Sequence, residues 1–419
     1  NDTGFFNVSD FKYDIKSRKD AIHVISLLDK VLLANKRNKY FFSFRGMAFG
    51  SLPMRKYKEA ICDFDKSIAI NKDFAFAYYN RGTAKNQLGD HKGCILDCDK
   101  AIEIDPIIHF SYSYRGSAKE DLKDYFGALQ DYNKALEIAP NDFICHFSRA
   151  RIKATMKDWE GAIKDMDVLI SFCNGILHHI LYSFRADYKY EFGDWEGAIQ
   201  DYNYAIEFNP DNPSNYFERG LVKAKLNNLN EAIKDFTIVI GISPKDADAY
   251  YNRGCAKVDL GEYKSAIEDY TKAIEIKPEY AIAYLNRGDA NYNLGNYKSA
   301  IGDYTKAIEI NPGIASTYNG RGITKFALQE YIGAIEDFTK AIEINPEYAF
   351  TYHGRGLAKL ALKKYKSAME DYTKAIEINL KFADAYYNRS LAKRELNDTQ
   401  GANEDIEKYN ELKQNNNAD

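Results

Sequence analysis

The sequence is poorest in the features that most often announce chemistry. It has no run of about 18 apolar residues, which excludes a membrane-crossing helix within the chain. Tryptophan occurs twice and histidine seven times in 419 residues, so an aromatic cofactor box or a histidine-rich metal site has little to draw on. The six cysteines fall without a framework. Cys94 and Cys98 stand where core residues are expected, Cys62, Cys145 and Cys255 are scattered, and Cys173 is placed in a loop. That pattern reads as reduced thiols, and with it a cytoplasmic location. No Gly-rich phosphate loop, G-x-S-x-G or H-E-x-x-H occurs. The adjacent pair His178-His179 would point in two directions on a helix and is read as loop histidines, not as a metal site. A net charge of −4 gives no basis for nucleic-acid or anionic-membrane binding. The expectation is a chain with no catalytic residues, no cofactor and no metal. It opens on Asn1 rather than Met, which reads as a fragment or a processed product.

What is abundant is repetition. Ala247 to Tyr280, ADAYYNRGCAKVDLGEYKSAIEDYTKAIEIKPEY, is one copy of a 34-residue unit. Tyr250, Gly254 and Lys257 share one helical stripe, and Ala266, Tyr270, Ala273 and Ile274 share another. Gly261 separates them and Pro278 ends the second. An arginine marks the unit's phase at 45, 81, 115, 149, 185, 219, 253, 287, 321, 355 and 389, each followed by Gly, Ala or Ser. The step is 34 except for two of 36, which gives eleven copies. A hairpin with such stripes cannot bury them alone and must stack on its own kind.

An aromatic…small…Ala…aromatic…Ala…Pro hairpin of this length, eleven times in phase, resembles the tetratricopeptide repeat family. The resemblance runs from about Lys39 to the C-terminus. It departs where arginine replaces a usually apolar residue and where lysine often replaces an aromatic (Lys257, Lys325, Lys359). The resemblance implies an all-α, right-handed superhelical solenoid with first helices lining the concave face. It also implies a non-enzymatic scaffold that binds another protein or peptide, with self-association into a homo-oligomer as the alternative. The expected organisation is an irregular segment and capping helix over 1–38, repeats over 39–412, and a disordered polar tail over 413–419. The first repeat carries a two-residue insertion near Leu52-Pro53-Met54, and the fourth loses its proline.

Each arginine has an aspartate on the second helix, from Asp63 to Asp405, 16 residues on in ten copies and 18 in the first. Arg253 with Asp269, Arg287 with Asp303 and Arg321 with Asp337 represent the set. The pairs are read as a structural ladder, because a ligand site has no need of one pair in every copy. Lysines four after the arginine lie on the same face; their stems cover apolar surface while their heads neutralise nearby acids. Some relatives clamp a peptide carboxylate with Lys, Asn and Arg. Asn80, Asn252, Asn286 and Asn388 match one clamp position, but Thr83, Cys255, Asp289 and Leu391 stand at another, so no clamp is expected. The resemblance places three first-helix positions on the groove, counted as three before, one after and four after the small residue. These give Tyr79, Phe147, Arg151, Tyr190, Phe217, Leu221, Tyr251, Leu285, Tyr292 and Phe326 as the expected peptide-binding residues. Apolar side chains off the core stripe mark an interaction surface.

Overall fold

The computed structural model describes residues 18–34, 38–51, 54–173, 175 and 177–415. Among these residues every regular element is helical. A lone helix, Arg18–Ala34, precedes eleven hairpins that run from Lys39 to Asn415. The seventh shows how the sequence builds one. Asp246 caps the first helix, Ala247–Asp259, by accepting from the Ala249 amide. Gly261 turns the chain with φ +77°, in the left-handed region that glycine enters at no steric cost. The second helix, Tyr263–Ile276, returns and stops ahead of Pro278. Ala266, Tyr270 and Ala273 are fully buried between this hairpin and Ala290 or Ala283 of the next. A Cβ on Gly254 would lie 2.7 Å from the Tyr270 ring, so the small residue after arginine is what lets the two helices close.

The chain divides into two units, one ending at Asn209 and the other beginning at Pro210. Hairpins 1–5 belong to the first and hairpins 6–11 to the second. Within the second unit the first helices of successive hairpins touch one another, and hairpins 1–4 do the same in the first. The second helices make no comparable contact. Packing is therefore tighter on the first-helix side of each stack.

Three expectations are corrected. The N-terminal helix begins at Arg18, inside the stretch to Asp20 read as irregular; residues 1–17, like Leu52 and Pro53 of the inserted turn, lie outside the described residues. His178 and His179 form the first turn of the helix His178–Phe192 rather than a loop, and His178 stacks on Phe208 at 5.1 Å. The final helix, Thr399–Asn415, takes in Lys413, Gln414 and Asn415 of the expected tail. The reason lies at Lys413, whose ammonium pairs with Asp384 on the opposing helix at 3.2 Å and sits over the Tyr409 ring.

Candidate functional site

Two surfaces were expected to matter, the arginine ladder and the first-helix face. In the ladder each guanidinium grips the aspartate of its own hairpin with two parallel bonds. Arg253 reaches Asp269 through Nε (2.9 Å) and Nη2 (2.6 Å), and Arg321 reaches Asp337 at 3.0 and 2.6 Å. Arg287 Nη2 donates to Asp303 at 2.6 Å. The aspartates are buried, and the residue one turn along the first helix donates to the same carboxylate: Lys257 to Asp269 at 2.7 Å, Lys325 to Asp337 at 2.8 Å and Asn291 to Asp303 at 3.1 Å. A tyrosine three residues before the arginine lies under the guanidinium, as Tyr250 does under Arg253 at 5.6 Å.

The remaining guanidinium nitrogen, Nη1, leaves the hairpin and bonds to the one before it. In the first unit the acceptor is a carboxylate at Asp29, Asp65, Asp99 and Asp167 and the amide of Asn133. In hairpins 7–11 it is a threonine hydroxyl at Thr237, Thr271, Thr305, Thr339 and Thr373. Each of these ten arginines thus ties its own two helices together and fastens them to the element before. Burial alone would lower the pKa of Arg81, Arg115 and Arg185, but the two flanking carboxylates reverse it and hold the pKa above its ordinary value. For Arg45 the hydrogen bond it donates to Asp63 is the leading cause of the same rise. In hairpin 4 burial disfavours the Asp165 carboxylate, yet donation from His146, Arg149 and Lys153 holds its pKa well below the carboxylate range.

On the first-helix face the expected residues divide. Tyr79 and Leu285 are buried: Tyr79 lies among Phe76 and, from the next hairpin, Phe110 and Tyr114, and Leu285 packs on Ala300 and Tyr304 of its own hairpin. The others are half-buried, apart from Arg151. Phe147 meets Phe143 and Phe184, and Phe217 meets Phe236 edge-on at 5.8 Å. Tyr251 packs on Tyr270 and Tyr280, and its hydroxyl accepts from Asn286 at 3.0 Å. Tyr292 and Phe326 rest on Tyr297 and Tyr331, each at 5.5 Å. Tyr190 and Leu221 are partly covered. Arg151 is exposed and pairs with Glu120. Asp187 and Asp289 stand on this face with one tyrosine hydroxyl each, Tyr202 at 2.6 Å and Tyr304 at 2.7 Å. Burial raises both carboxyl pKa values and the tyrosine donors only partly offset it.

The residues that sequence reasoning missed lie in the first turn, six before the small residue. All five hairpins of the first unit place an apolar side chain there: Tyr40, Phe76, Phe110, Ile144 and Ile180. Four of these are exposed, Tyr40 and Phe110 at 42% and Ile144 at 63%. The rings join into a run, Tyr40 to Phe74 (5.3 Å), Phe74 to Phe76 (5.6 Å), Phe76 to Tyr79 (5.4 Å) and Tyr79 to Phe110 (6.1 Å). The signal was available in the repeat alignment, since the second unit has Ser214, Asp248, Ile282, Ser316, Phe350 and Asp384 at that place.

Among the described residues no group of three or more His, Cys, Asp and Glu side chains could hold a metal, and no helix is long and apolar enough to cross a membrane. Models of the TPR repeat match residues 186–227 and 254–295, and models of the tetratricopeptide repeat match 75–107, 111–142, 281–314, 315–348 and 351–382, together more than half of the chain. No curated protein matches. Solved structures that are similar include a MamA protein (27% identity over 41% of this chain and 94% of that one, TM-score 0.38). The anaphase-promoting complex hetero-tetramer Cut9–Hcn1 aligns at 14% identity over 96% of this chain and 92% of that one, TM-score 0.45. Yeast Tom70 aligns at 17% identity over 92% of both chains, TM-score 0.40. The chain belongs to the tetratricopeptide repeat family, as an all-α solenoid of tandem hairpins and a protein-interaction scaffold.

Proposed function

We propose that the chain binds, without catalysis, an apolar segment of another protein laid along the first-helix face of its first unit. One observation carries this reading: the apolar first-turn residue repeated in hairpins 1–5, with Tyr40, Phe110, Ile144 and Ile180 exposed. An exposed residue recurring once per repeat has no role in the core of its own hairpin, and contiguous apolar surface of this kind marks an interaction site. Charge is sparse between these residues, and the Arg151–Glu120 pair satisfies its own ends. Either an amphipathic helix or an extended peptide could use such anchors.

The test uses the full chain and a peptide selected on it from a random display library. Tyr40→Ala combined with Phe110→Ala should weaken binding by about 1–2 kcal/mol, roughly tenfold, with circular dichroism unchanged. Unchanged affinity with the fold intact would remove the face from the function. A solution mass that rises with concentration in the wild type, and not in the double variant, would assign the face to a second copy of the chain.

A further inference from the structure

The first-helix face of hairpin 1 contains a cavity at a place that hairpins 8 and 9 fill with their own aromatic rings. It measures about 290 Å³ and is lined by Gly50, Met47, Tyr57 and Phe64, and by Asn80 and Gln87 of hairpin 2. Gly50 ends the first helix, Lys39–Gly50, four residues after the small residue Gly46. In hairpins 8 and 9 that position carries Tyr292 and Phe326, whose rings lie on Tyr297 and Tyr331 at the start of the second helix. Tyr57 is the counterpart of Tyr297 and Tyr331 in hairpin 1, and opposite it there is only a glycine. Hairpin 4 is also small at this position, at Ala154, but there the second helix opens with Trp159, whose larger ring reaches Tyr188 at 6.4 Å. Hairpin 1 has no such compensation.

The structure points to an occupant by its own example. We propose that the cavity receives one aromatic side chain, phenylalanine or tyrosine, from the segment bound on the first-helix face, seated against Tyr57 as Phe326 is seated against Tyr331. The volume lies at the small end of ligand sites, which suits one side chain better than a free metabolite. Aromatic and aliphatic lining residues together with the Asn80 and Gln87 amides are what an aromatic anchor with an adjoining peptide backbone requires. Tyr40, where the ring run begins, stands at the other end of the same helix, about 15 Å away, so the cavity would set which residue of the segment occupies hairpin 1. This specificity rests on the function proposed above.

The cavity can be tested without knowing the partner. The chain has five methionines, and Met47 is the one bordering the cavity. In the full chain with ¹³C-methyl methionine, p-cresol serves as the side-chain probe. The Met47 methyl resonance should shift saturably at millimolar p-cresol, while Met156, Met166 and Met369 stay in place. Gly50→Phe should abolish the shift by filling the cavity. A Cβ at Gly50 meets only the Ala60 methyl at 3.7 Å, so the substitution should be accommodated, and Gly50→Leu repeats the test should the ring disturb the helix. A Met47 signal that does not move, or that moves equally in both filled variants, overturns the proposal. Loss of p-cresol binding in the filled variants, with the peptide unaffected by Tyr40→Ala and Phe110→Ala, would keep the pocket and remove the interaction face. The reverse result would keep the face and remove the pocket.

Discussion

In the first unit four of the five arginines reach back to a carboxylate and Arg149 to the Asn133 amide, whereas in hairpins 7–11 they reach back to a threonine. The rung of hairpin 2 sets two cations, Arg81 and Lys85, against two carboxylates, Asp97 and Asp65. The rung of hairpin 9 sets two cations, Arg321 and Lys325, against Asp337 alone, with the Thr305 hydroxyl completing the set at 3.0 Å. The backbone architecture is the same in both. What differs is whether the guanidinium that joins neighbouring hairpins donates to a carboxylate or to an uncharged hydroxyl. The first unit also carries an unbroken apolar first-turn row, where the second has only Ile282 and Phe350 among two aspartates and two serines. The diverged half thus holds both the exposed first-turn row and the carboxylate joints, while the near-identical half repeats one solution.

The largest effect should follow removal of an arginine. Arg115→Ala strands the buried Asp131 with Lys119 alone and also frees Asp99. Arg355→Ala strands Asp371 with Lys359 and frees only a hydroxyl. Breaking a buried pair costs about 3 kcal/mol, and the exposed second carboxylate adds at most about 1 kcal/mol. A repeat array need not unfold in one step, so amide hydrogen exchange of hairpins 3 and 10 is the suitable measure. Protection should fall more in hairpin 3. Equal losses would show that the second acceptor is immaterial, and full stability with loss of a partner would make the arginines a binding row.

The aspartate of each pair was legible because its offset from arginine is constant and both residues lie in one hairpin. The third partner, 16 residues before the arginine in most repeats, is equally regular in sequence but belongs to the preceding hairpin. Pairing within one hairpin does not suggest it. Exposure was less legible still. Tyr79 and Phe110 are both aromatic residues on first helices, yet stacking covers the first and leaves the second 42% exposed. The turns show the same override. Gly89, Gly193, Gly261 and Gly295 take φ > 0 as a glycine signal implies, but Lys123, Lys157, Asn227, Gln329, Lys363 and Asn397 adopt the same conformation. Closing the hairpin imposes it, at a local cost of about 1–2 kcal/mol for a residue with a Cβ.

A smaller effect separates two buried tyrosines. Tyr132 in the first unit donates to Glu120 at 3.2 Å, whereas Tyr372 in the second is buried with its hydroxyl unpartnered, Leu357 standing where Asp289 meets Tyr304. Tyr132→Phe should lose about 1 kcal/mol. Tyr372→Phe should lose nothing or gain up to about 1 kcal/mol, by removing a polar group that found no partner. Equal losses in thermal melts would contradict the difference.

Mild acid should separate the units too. Burial lowers the pKa of His353, which Asp384 raises only in part, and Asn388 donates to its Nε2 at 2.9 Å. A histidine with a lowered folded pKa contributes stability that is complete above its unfolded value of about 6.5 and declines as the pH falls through the folded one. Asp165 is also lowered, so its contribution is complete above about pH 4 and lost only in stronger acid. Between about pH 7 and pH 5, hairpin 10 should lose exchange protection, and His353→Gln should flatten that dependence. An unchanged slope in His353→Gln would rule the histidine out.

The smallest effect tests the comparison by converting one kind of joint into the other. Thr305→Asp gives hairpin 9 the arrangement that Asp99 gives hairpin 3, with the second carboxylate two residues after the ladder aspartate as in the first unit. The new carboxylate would accept from Arg321 Nη1 and balance a rung that now carries one excess positive charge. Against this stands the bond from the Thr305 hydroxyl to the Ile301 carbonyl at 2.7 Å, which aspartate cannot make. Half-exposed ion pairs contribute about 0–1 kcal/mol, so a gain near 0.5 kcal/mol is expected at low ionic strength. It should vanish near 1 M salt, where the screening length is about 3 Å. The reciprocal Asp99→Thr should cost a similar amount and make the first unit less sensitive to salt. If Thr305→Asp gives a gain that salt does not remove, or the two variants shift stability in the same direction, the difference between the units does not lie in the charge of their joints.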